Sequence, residues 1–255
     1  MGDLVPNGRP VGTEGSKYYL SPQAYCCEFD DGAIILDMRA ATYVGIDAEH
    51  ARTLRSCIEN WPNFKRPDPD SKYANNPAFD VVVADLLARG ILTTVSARVN
   101  LVRLEHPTTG WANPHWSAAR HRIQISHLLL FSTSSLRVFL RRRGRDLASL
   151  LGWIRQHQGA IHSNEKSTGR KIDSELLQSF FRLRIWFYTA YRHCLLDSLM
   201  LSVYLTKRMV PCTLVIGVST RPFAAHAWVQ IGDCVLNDTV EHVLTFTPIL
   251  AVGDI

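Results

Sequence analysis

The sequence lacks several patterns that would assign it to a familiar class of metal or nucleotide enzyme. Its six cysteines include the adjacent pair Cys26-Cys27 but no Cys-x-x-Cys, which excludes the usual ligand spacing of structural zinc sites and any clear disulfide framework. The His-Glu-x-x-His helix of zinc proteases and the glycine-rich phosphate loops are missing as well. We therefore expect neither a metal nor a cofactor.

Long apolar runs are also missing. No uncharged apolar stretch approaches the ~18 residues that a membrane span requires, and the first residues show no basic and apolar targeting signal. With 255 residues the chain can bury two modest cores without disulfides. These features predict a reduced, cytoplasmic protein with free thiols.

Charge is unevenly distributed along the chain. Residues 1–95 contain 9 Lys and Arg against 13 Asp and Glu, whereas residues 96–255 contain 19 against 10. The densest basic cluster is Arg141-Arg142-Arg143-Gly144-Arg145, and a basic patch is the electrostatic footprint of nucleic-acid binding. However, no aromatic–basic interleaving, zinc finger or recognition helix accompanies it. A solvated helix end, or a dock for an acidic peptide or partner, is favoured over nucleic acid.

Three residues near the C-terminal end have the order and setting of a catalytic triad. Cys194 opens an apolar helical run, His226 lies in the middle of a predicted strand, and Asp238 ends the next strand. A thiol at a helix start that faces an imidazole and a carboxylate on paired strands supplies a nucleophile, a base and an orienting group. Each residue alone could be a packed side chain, but the ordered trio favours chemistry.

The helix after Cys194 predicts how the thiol is activated. Apolar residues recur at steps of three and four on a broad face, which is typical of a core helix. A thiol at its start meets unpaired backbone N–H groups and the positive end of the helix dipole, and both lower a thiol pKa.

These residues resemble the lasso peptide B2 proteins, the leader peptidases of lasso peptide biosynthesis, within the transglutaminase-like and papain-like cysteine enzymes. The matching stretch runs from about residue 174 to 252, and Cys194–Leu199, His226–Val229 and Val235–Asp238 carry it. The resemblance implies that Cys194 attacks a peptide carbonyl, that His226 transfers the proton and that Asp238 orients His226. It further implies two partners: a lasso precursor peptide, whose leader is removed, and a cyclase resembling asparagine synthetase.

The N-terminal region predicts a separate recognition domain. A hairpin at residues 25–37, a strand near 42–46, a helix over 48–60 capped by Asp47, and a second helix closed by Gly90 follow in order. This order resembles the winged-helix precursor-recognition domains of peptide-modifying enzymes, in which the leader adds as a strand. The predicted leader groove consists of Thr42, Tyr43, Val44, Gly45, Ile46, Val83, Leu86 and Leu87, although these apolar side chains could equally be core.

The predicted fold is therefore α+β. A winged-helix-like domain spans residues 1–95, a linker residues 96–113, and a transglutaminase-like cysteine peptidase domain residues 114–255. Two alternatives stay open: another acyl transfer of transglutaminase type, since both reactions share a thioester at Cys194, and a non-catalytic module that presents the precursor to the cyclase.

Overall fold

The computed structural model describes residues 18–62, 77–97, 104–111, 123–143, 147–162, 174–186 and 193–253. The chain divides into two compact units, one of Met1–Asp37 with Val44–Asn100 and the other of Met38–Tyr43 with Leu101–Ile255. Helices and sheets are mixed, so the predicted α+β class is confirmed. The sequence also predicts a long loop with four prolines over residues 61–77, and most of it lies outside the described residues.

The elements of the N-terminal region follow the predicted order. They are β1 (Tyr19–Leu20), β2 (Ala24–Phe29), β3 (Gly32–Asp37), β4 (Thr42–Asp47), α1 (Ala48–Cys57), α2 (Pro77–Ala88) and β5 (Leu92–Thr93). Strands β2, β3 and β4 form a three-stranded sheet in that order, and β1 pairs with β5. The likeness to a winged helix stays a prediction.

Local chemistry explains where these elements begin and end. The carboxylate of Asp47 caps α1 by accepting the backbone N–H groups of Glu49 and His50, both at 3.0 Å. Helix α1 ends at Cys57, earlier than predicted, because Ile58 is extended and bridges to Tyr18. Gly32 has φ +148°, and an added Cβ there would lie 2.0 Å from the carbonyl oxygen of Ile46, so only glycine fits.

The second unit places four helices beside a five-stranded sheet. The helices are α3 (Ile125–Arg143), α4 (Leu147–His162), α5 (Ser174–Arg184) and α6 (Cys194–Lys207). The later elements are β7 (Thr213–Thr220), β8 (Phe223–Ile231), β9 (Cys234–Val235), α7 (Val240–Val243) and β10 (Thr247–Val252), and the strand β6 (Thr109–Gly110) precedes α3. The strand order is β10-β7-β8-β9-β6.

Helix α6 is the central element of this unit. Its residues 197–206 are all buried, and it packs against β8, α3 and α4. The prediction of a core helix that starts at Cys194 is therefore confirmed. A helix buried on every side fixes the position of its first residue through all of its neighbours.

Helix α3 corrects an expectation of the sequence. The sequence predicts a helix over residues 116–142 whose packed apolar face consists of Leu128, Leu129, Phe131, Leu136, Phe139 and Leu140. In the structure only Phe131 of this set is buried, and the other five are 44–61% exposed. The inward face is instead formed by His127, Phe131, Ser134 and Val138. Both sets recur at helical spacing, so periodicity alone could not tell which one faces α5 and α6.

Two further predicted features can be located. Residues 108–111, inside the predicted linker, join the sheet, because the N–H of Thr108 donates to Asp233 and that of Trp111 donates to Val235. In the basic cluster Arg141 donates to Ser149, while Gly144 and Arg145 lie outside the described residues. In the described part of the chain, no helix is both long enough and apolar enough to cross a membrane.

Candidate active site

The thiol of Cys194 lies at the first position of α6. His193 precedes it as the N-cap but makes no side-chain capping bond, so no His193 side-chain bond competes with the thiol for the N–H groups of the first turn. The half-buried thiol is hydrogen-bonded to the side chain of His226 and to the backbone N–H groups of Leu195 and Ala227. The helix start and β8 therefore meet at this sulfur.

The imidazole of His226 projects from the middle of β8, as predicted. Its ring stacks on Phe246, with centroids 5.0 Å apart, and lies parallel to Trp228 at 6.2 Å. Across the strand pair His226 is opposite Gly217 of β7. An added Cβ at Gly217 would lie 2.8 Å from the Trp228 ring and 2.9 Å from Cβ of Phe246. Glycine is required here so that both aromatic rings can pack beside His226.

One carboxylate oxygen of Asp238 accepts hydrogen bonds from two imidazole rings. His226 Nε2 donates a hydrogen bond to Oδ2, and His242 Nδ1 lies 2.8 Å from the same atom. The other oxygen, Oδ1, accepts the backbone N–H of Thr239 at 2.7 Å. Because Nε2 of His226 faces Asp238, its Nδ1 is the nitrogen left for Cys194.

Asp238 does not end a strand, contrary to the sequence prediction. Strand β9 ends at Val235. Beyond it, the side-chain oxygen of Asn237 replaces a backbone partner by accepting a hydrogen bond from the N–H of Val229 at 2.8 Å. The N–H of Leu236 still donates to Val229 at 2.8 Å. A side-chain amide therefore holds Asp238 in place where regular pairing has ended.

Hydrogen bonds within the triad shift the pKa values of all three of its side chains. The hydrogen bond with His226 lowers the pKa of Cys194, against the burial that raises it, and the N–H groups of Ala227 and Leu195 lower it further. Burial alone would lower the pKa of His226, but hydrogen bonds to Asp238 and Cys194 raise it to about 9. Burial would raise the pKa of Asp238, but bonds from His226 and His242 lower it. The shifts of Cys194 and His226 favour an ion pair of thiolate and imidazolium, and the shift of Asp238 favours its ionised carboxylate.

A buried polar network joins α6 to the His and Asp segments. Ser198 donates to the carbonyl oxygen of Ala227 at 2.9 Å, and the Asn237 amide donates to Ser198 at 3.0 Å and to Asp197 at 3.1 Å. Arg184 of α5 pairs with the buried Asp197 at 2.6 Å. Each polar group is satisfied by another, which makes the network rigid.

Sequence reasoning missed His242 and gave no role to this network. His242 lies on the four-residue helix α7, four positions after Asp238, so a signal existed in the spacing. That spacing is common on helix surfaces, however, and does not by itself indicate a site. The roles of Asp197 and Asn237 depend on contacts 40 residues apart in sequence.

The predicted leader groove is only partly accessible. Val83 and Leu86 are 5% and 1% exposed and belong to the core of the first unit, so they offer a peptide almost no surface. Val44, Ile46 and Leu87 are partly buried against that core, while Thr42 and Gly45 are exposed and Tyr43 is partly buried. Strand β4, at residues 42–47, is an outer strand of its sheet. Its role in leader binding stays a prediction.

Comparison with known proteins defines the class of the second unit. Residues 136–251 match the model of the transglutaminase-like superfamily, and the chain therefore contains a transglutaminase-like domain there. Helix α6, β8 and the Asp238 segment all lie inside the matched residues.

A curated relative gives a narrower likeness. Over 92 residues the chain is 47% identical to the microcin J25-processing protein McjB of Escherichia coli, a stretch that covers 34% of this chain and 42% of that protein. The chain thus spans less than half the length of this relative. No solved structure matches the chain. The predicted resemblance to the lasso peptide B proteins is confirmed, while the fused N-terminal recognition domain stays a prediction.

Proposed function

We propose that this protein is a cysteine peptidase that binds a lasso peptide precursor and removes its leader. The observation that supports this most directly is the unbroken hydrogen-bonded chain from Cys194 through His226 to Asp238. The likeness to a microcin-processing protein supports the substrate class. A transglutaminase-like domain is compatible with peptide carbonyl chemistry.

In this proposal, cleavage of the peptide bond proceeds in two steps. The Cys194 thiolate attacks the scissile carbonyl and forms a C–S bond, while the His226 imidazolium gives its Nδ1 proton to the departing amine. Water then gives a proton to His226 and attacks the thioester; the C–S bond breaks, the leader leaves as a free acid, and the thiolate–imidazolium pair is restored. Asp238 stays ionised and holds the His226 ring in orientation throughout.

The product explains the partner that we propose. Hydrolysis between leader and core leaves the core peptide with a new free α-amine. The family resemblance implies that an asparagine synthetase-like cyclase then closes the ring on this core. The leader would bind at the outer edge of β4 by adding a strand, since an unpaired edge offers backbone donors and acceptors.

Acyl transfer of transglutaminase type is the second candidate function, and the match to the transglutaminase-like family model favours it. The thioester at Cys194 is common to both reactions, so the acceptor distinguishes them: water gives a leader acid, and an amine gives a leader amide.

The deciding experiment is mass spectrometry of a lasso precursor incubated with the protein, with and without the cyclase. Wild type should release a leader with a free C-terminal acid, and Cys194→Ala should release none while still binding the precursor. Cys234→Ala, which removes another half-buried thiol, should behave like wild type. An amide product would establish transfer instead. Precursor that is bound but intact in every tube would favour a presenting module.

A further inference from the structure

Three ligand atoms converge beside the proposed triad, on the side away from the thiol. They are Nε2 of His226, Oδ2 of Asp238 and Nδ1 of His242, and all lie within 4.8 Å of one another. They come from three separate segments: β8, the stretch after β9, and α7. Two imidazoles and one carboxylate are a donor set that suits zinc and neighbouring divalent metals.

The surroundings of these atoms resemble the outer shell of a metal site. Oδ1 of Asp238 is held by the Thr239 N–H at 2.7 Å, which leaves Oδ2 as the ligand atom. Phe246 stacks on His226 at 5.0 Å and meets the edge of the His242 ring at 5.4 Å. A fixed carboxylate and rings held by an apolar neighbour are the features that orient metal ligands.

Access also favours a metal. The side chain of His242 is 52% exposed, whereas those of His226 and Asp238 are 14% and 17% exposed. The site is therefore open to solvent mainly on the His242 side. Tetrahedral zinc with bonds of about 2.0–2.1 Å needs ligand atoms about 3.4 Å apart. Both imidazole nitrogens lie within hydrogen-bond distance of Oδ2 of Asp238, so each pair would have to open when a metal replaces the proton between its atoms.

We infer that His226, Asp238 and His242 form an inhibitory binding site for Zn²⁺ or a similar divalent cation, with water completing the coordination. The inference goes beyond the proposed function, because metal binding needs no turnover. Cys194 is not a ligand, since it faces Nδ1 at the other edge of the His226 ring.

Metal binding would block the chemistry through His226. The cation replaces the proton on Nε2, so the ring then holds one proton, at Nδ1, and has no imidazolium form. A metal-bound neutral imidazole is a weaker acid than imidazolium, and the departing amine is protonated less readily. Asp238, now a ligand, no longer receives the Nε2 proton. Chelation of the metal reverses each change.

The test measures Zn²⁺ binding by calorimetry in the Cys194→Ala protein, which excludes the reactive thiol as the receptor. Adding His242→Ala should weaken the affinity at least about tenfold, the scale of losses seen even for outer-shell changes. Adding His50→Ala should leave it unchanged. His50 is a matched control, because its Nδ1 lies 2.6 Å from Asp47 in a His–carboxylate pair.

Equal affinity in the His242→Ala and His50→Ala proteins would overturn the site, as would loss of zinc binding on Cys194→Ala alone. Circular dichroism checks that each variant is folded. In the cleavage assay, zinc should inhibit wild type reversibly and the His242→Ala protein more weakly; equal inhibition of both would place the metal on the thiol. If the protein proves not to be a peptidase, the calorimetric result still stands.

Discussion

At the scale of single residues, the lowered pKa of Cys194 comes more from its partner than from its helix. The sequence predicted activation by the N–H groups and dipole of the helix start, and the N–H of Leu195 does contribute, but the hydrogen bond with His226 is the largest cause of the lowered pKa. Burial of the thiol raises its pKa and opposes these effects. Cys212 and Cys27 show the contrast, since burial raises the pKa of each thiol to about 12. A buried thiol without an imidazole is inert.

Asp238→Asn should narrow the pH range of activity from the alkaline side. The thiolate–imidazolium pair exists above the lowered pKa of Cys194 and is lost as pH rises through that of His226, about 9 in wild type. Removing the carboxylate charge lowers the pKa of His226, so the alkaline limb of kcat/KM should move to lower pH. The rate should fall about 10–100-fold, the worth of one charge-assisted hydrogen bond.

The matched control is Glu241→Gln, which removes a charge from an exposed residue of α7. Its pH profile should overlay that of wild type. An alkaline limb that does not move in Asp238→Asn would mean that Asp238 does not set the ionisation of His226.

At the scale of elements, the packing against the β7–β8 strand pair depends on Gly217 having no side chain. The Trp228 ring and the Cβ of Phe246 occupy the space that a Cβ at Gly217 would take, and the Phe246 ring stacks on His226. Trp228 belongs to a small core cluster with Val215, Val235 and Val243. The orientation of the imidazole therefore depends on how the two strands and α7 pack.

Gly217→Ala should destabilise the protein by about 1–3 kcal/mol, because a methyl group at 2.8–2.9 Å forces the aromatic rings to move. Cleavage should slow as well, since His226 loses its packing. Gly152→Ala is the matched control: it lies within α4 with nothing inside 4 Å of the added Cβ, and it should stabilise by about 0.5–1 kcal/mol. Urea denaturation of both variants checks the pair. A free energy of unfolding of Gly217→Ala equal to that of wild type would show that the strand pair accommodates the added methyl group without cost.

At the scale of the whole molecule, the residues of the proposed chemistry and those of the proposed recognition belong to different units. The triad and its network lie within the second unit, and the outer part of β4, from Val44 on, belongs to the first. In the proposed function, β4 governs affinity for the precursor and the triad governs the rate of cleavage. Substitutions in β4 should therefore change mainly KM, and substitutions in the triad should change mainly kcat.

Proline substitutions in β4 test this separation. Backbone N–H groups alternate along a strand, so either Val44→Pro or Gly45→Pro removes a donor from the outer edge. That variant should raise KM for the full precursor at least about tenfold with kcat nearly unchanged. Gly45→Ala, which meets nothing within 4 Å, should have no effect.

Hydrogen exchange of the wild-type protein with added leader peptide gives an independent measurement that needs no variant. Protection of the amides of residues 44–46 would support strand addition. Unchanged exchange there, together with an unchanged KM in both folded proline variants, would move the leader site away from β4.

Much of the fold could be predicted because its signals are local. Asp47 caps a helix through its own neighbours, Gly232 turns the β8–β9 hairpin with φ +56°, and the apolar residues of α6 repeat at helical spacing. The inward face of α3 could not be predicted, because the buried set contains the polar residues His127 and Ser134 while a more apolar set at the same helical spacing is exposed. The polar network of Asp197, Ser198 and Asn237 could not be predicted either, since polar residues reveal partners only once the chain is folded.

By itself, the sequence determined the order of the elements, the α+β class and the Cys, His and Asp of the candidate site, because helix caps, turn residues and apolar periodicity act over a few positions. Only the tertiary structure decided which nitrogen of His226 faces which partner, that Val83 and Leu86 are core, and that His242 shares the carboxylate of Asp238. These depend on side chains brought together from distant segments, and no local pattern in the chain encodes the distance between them.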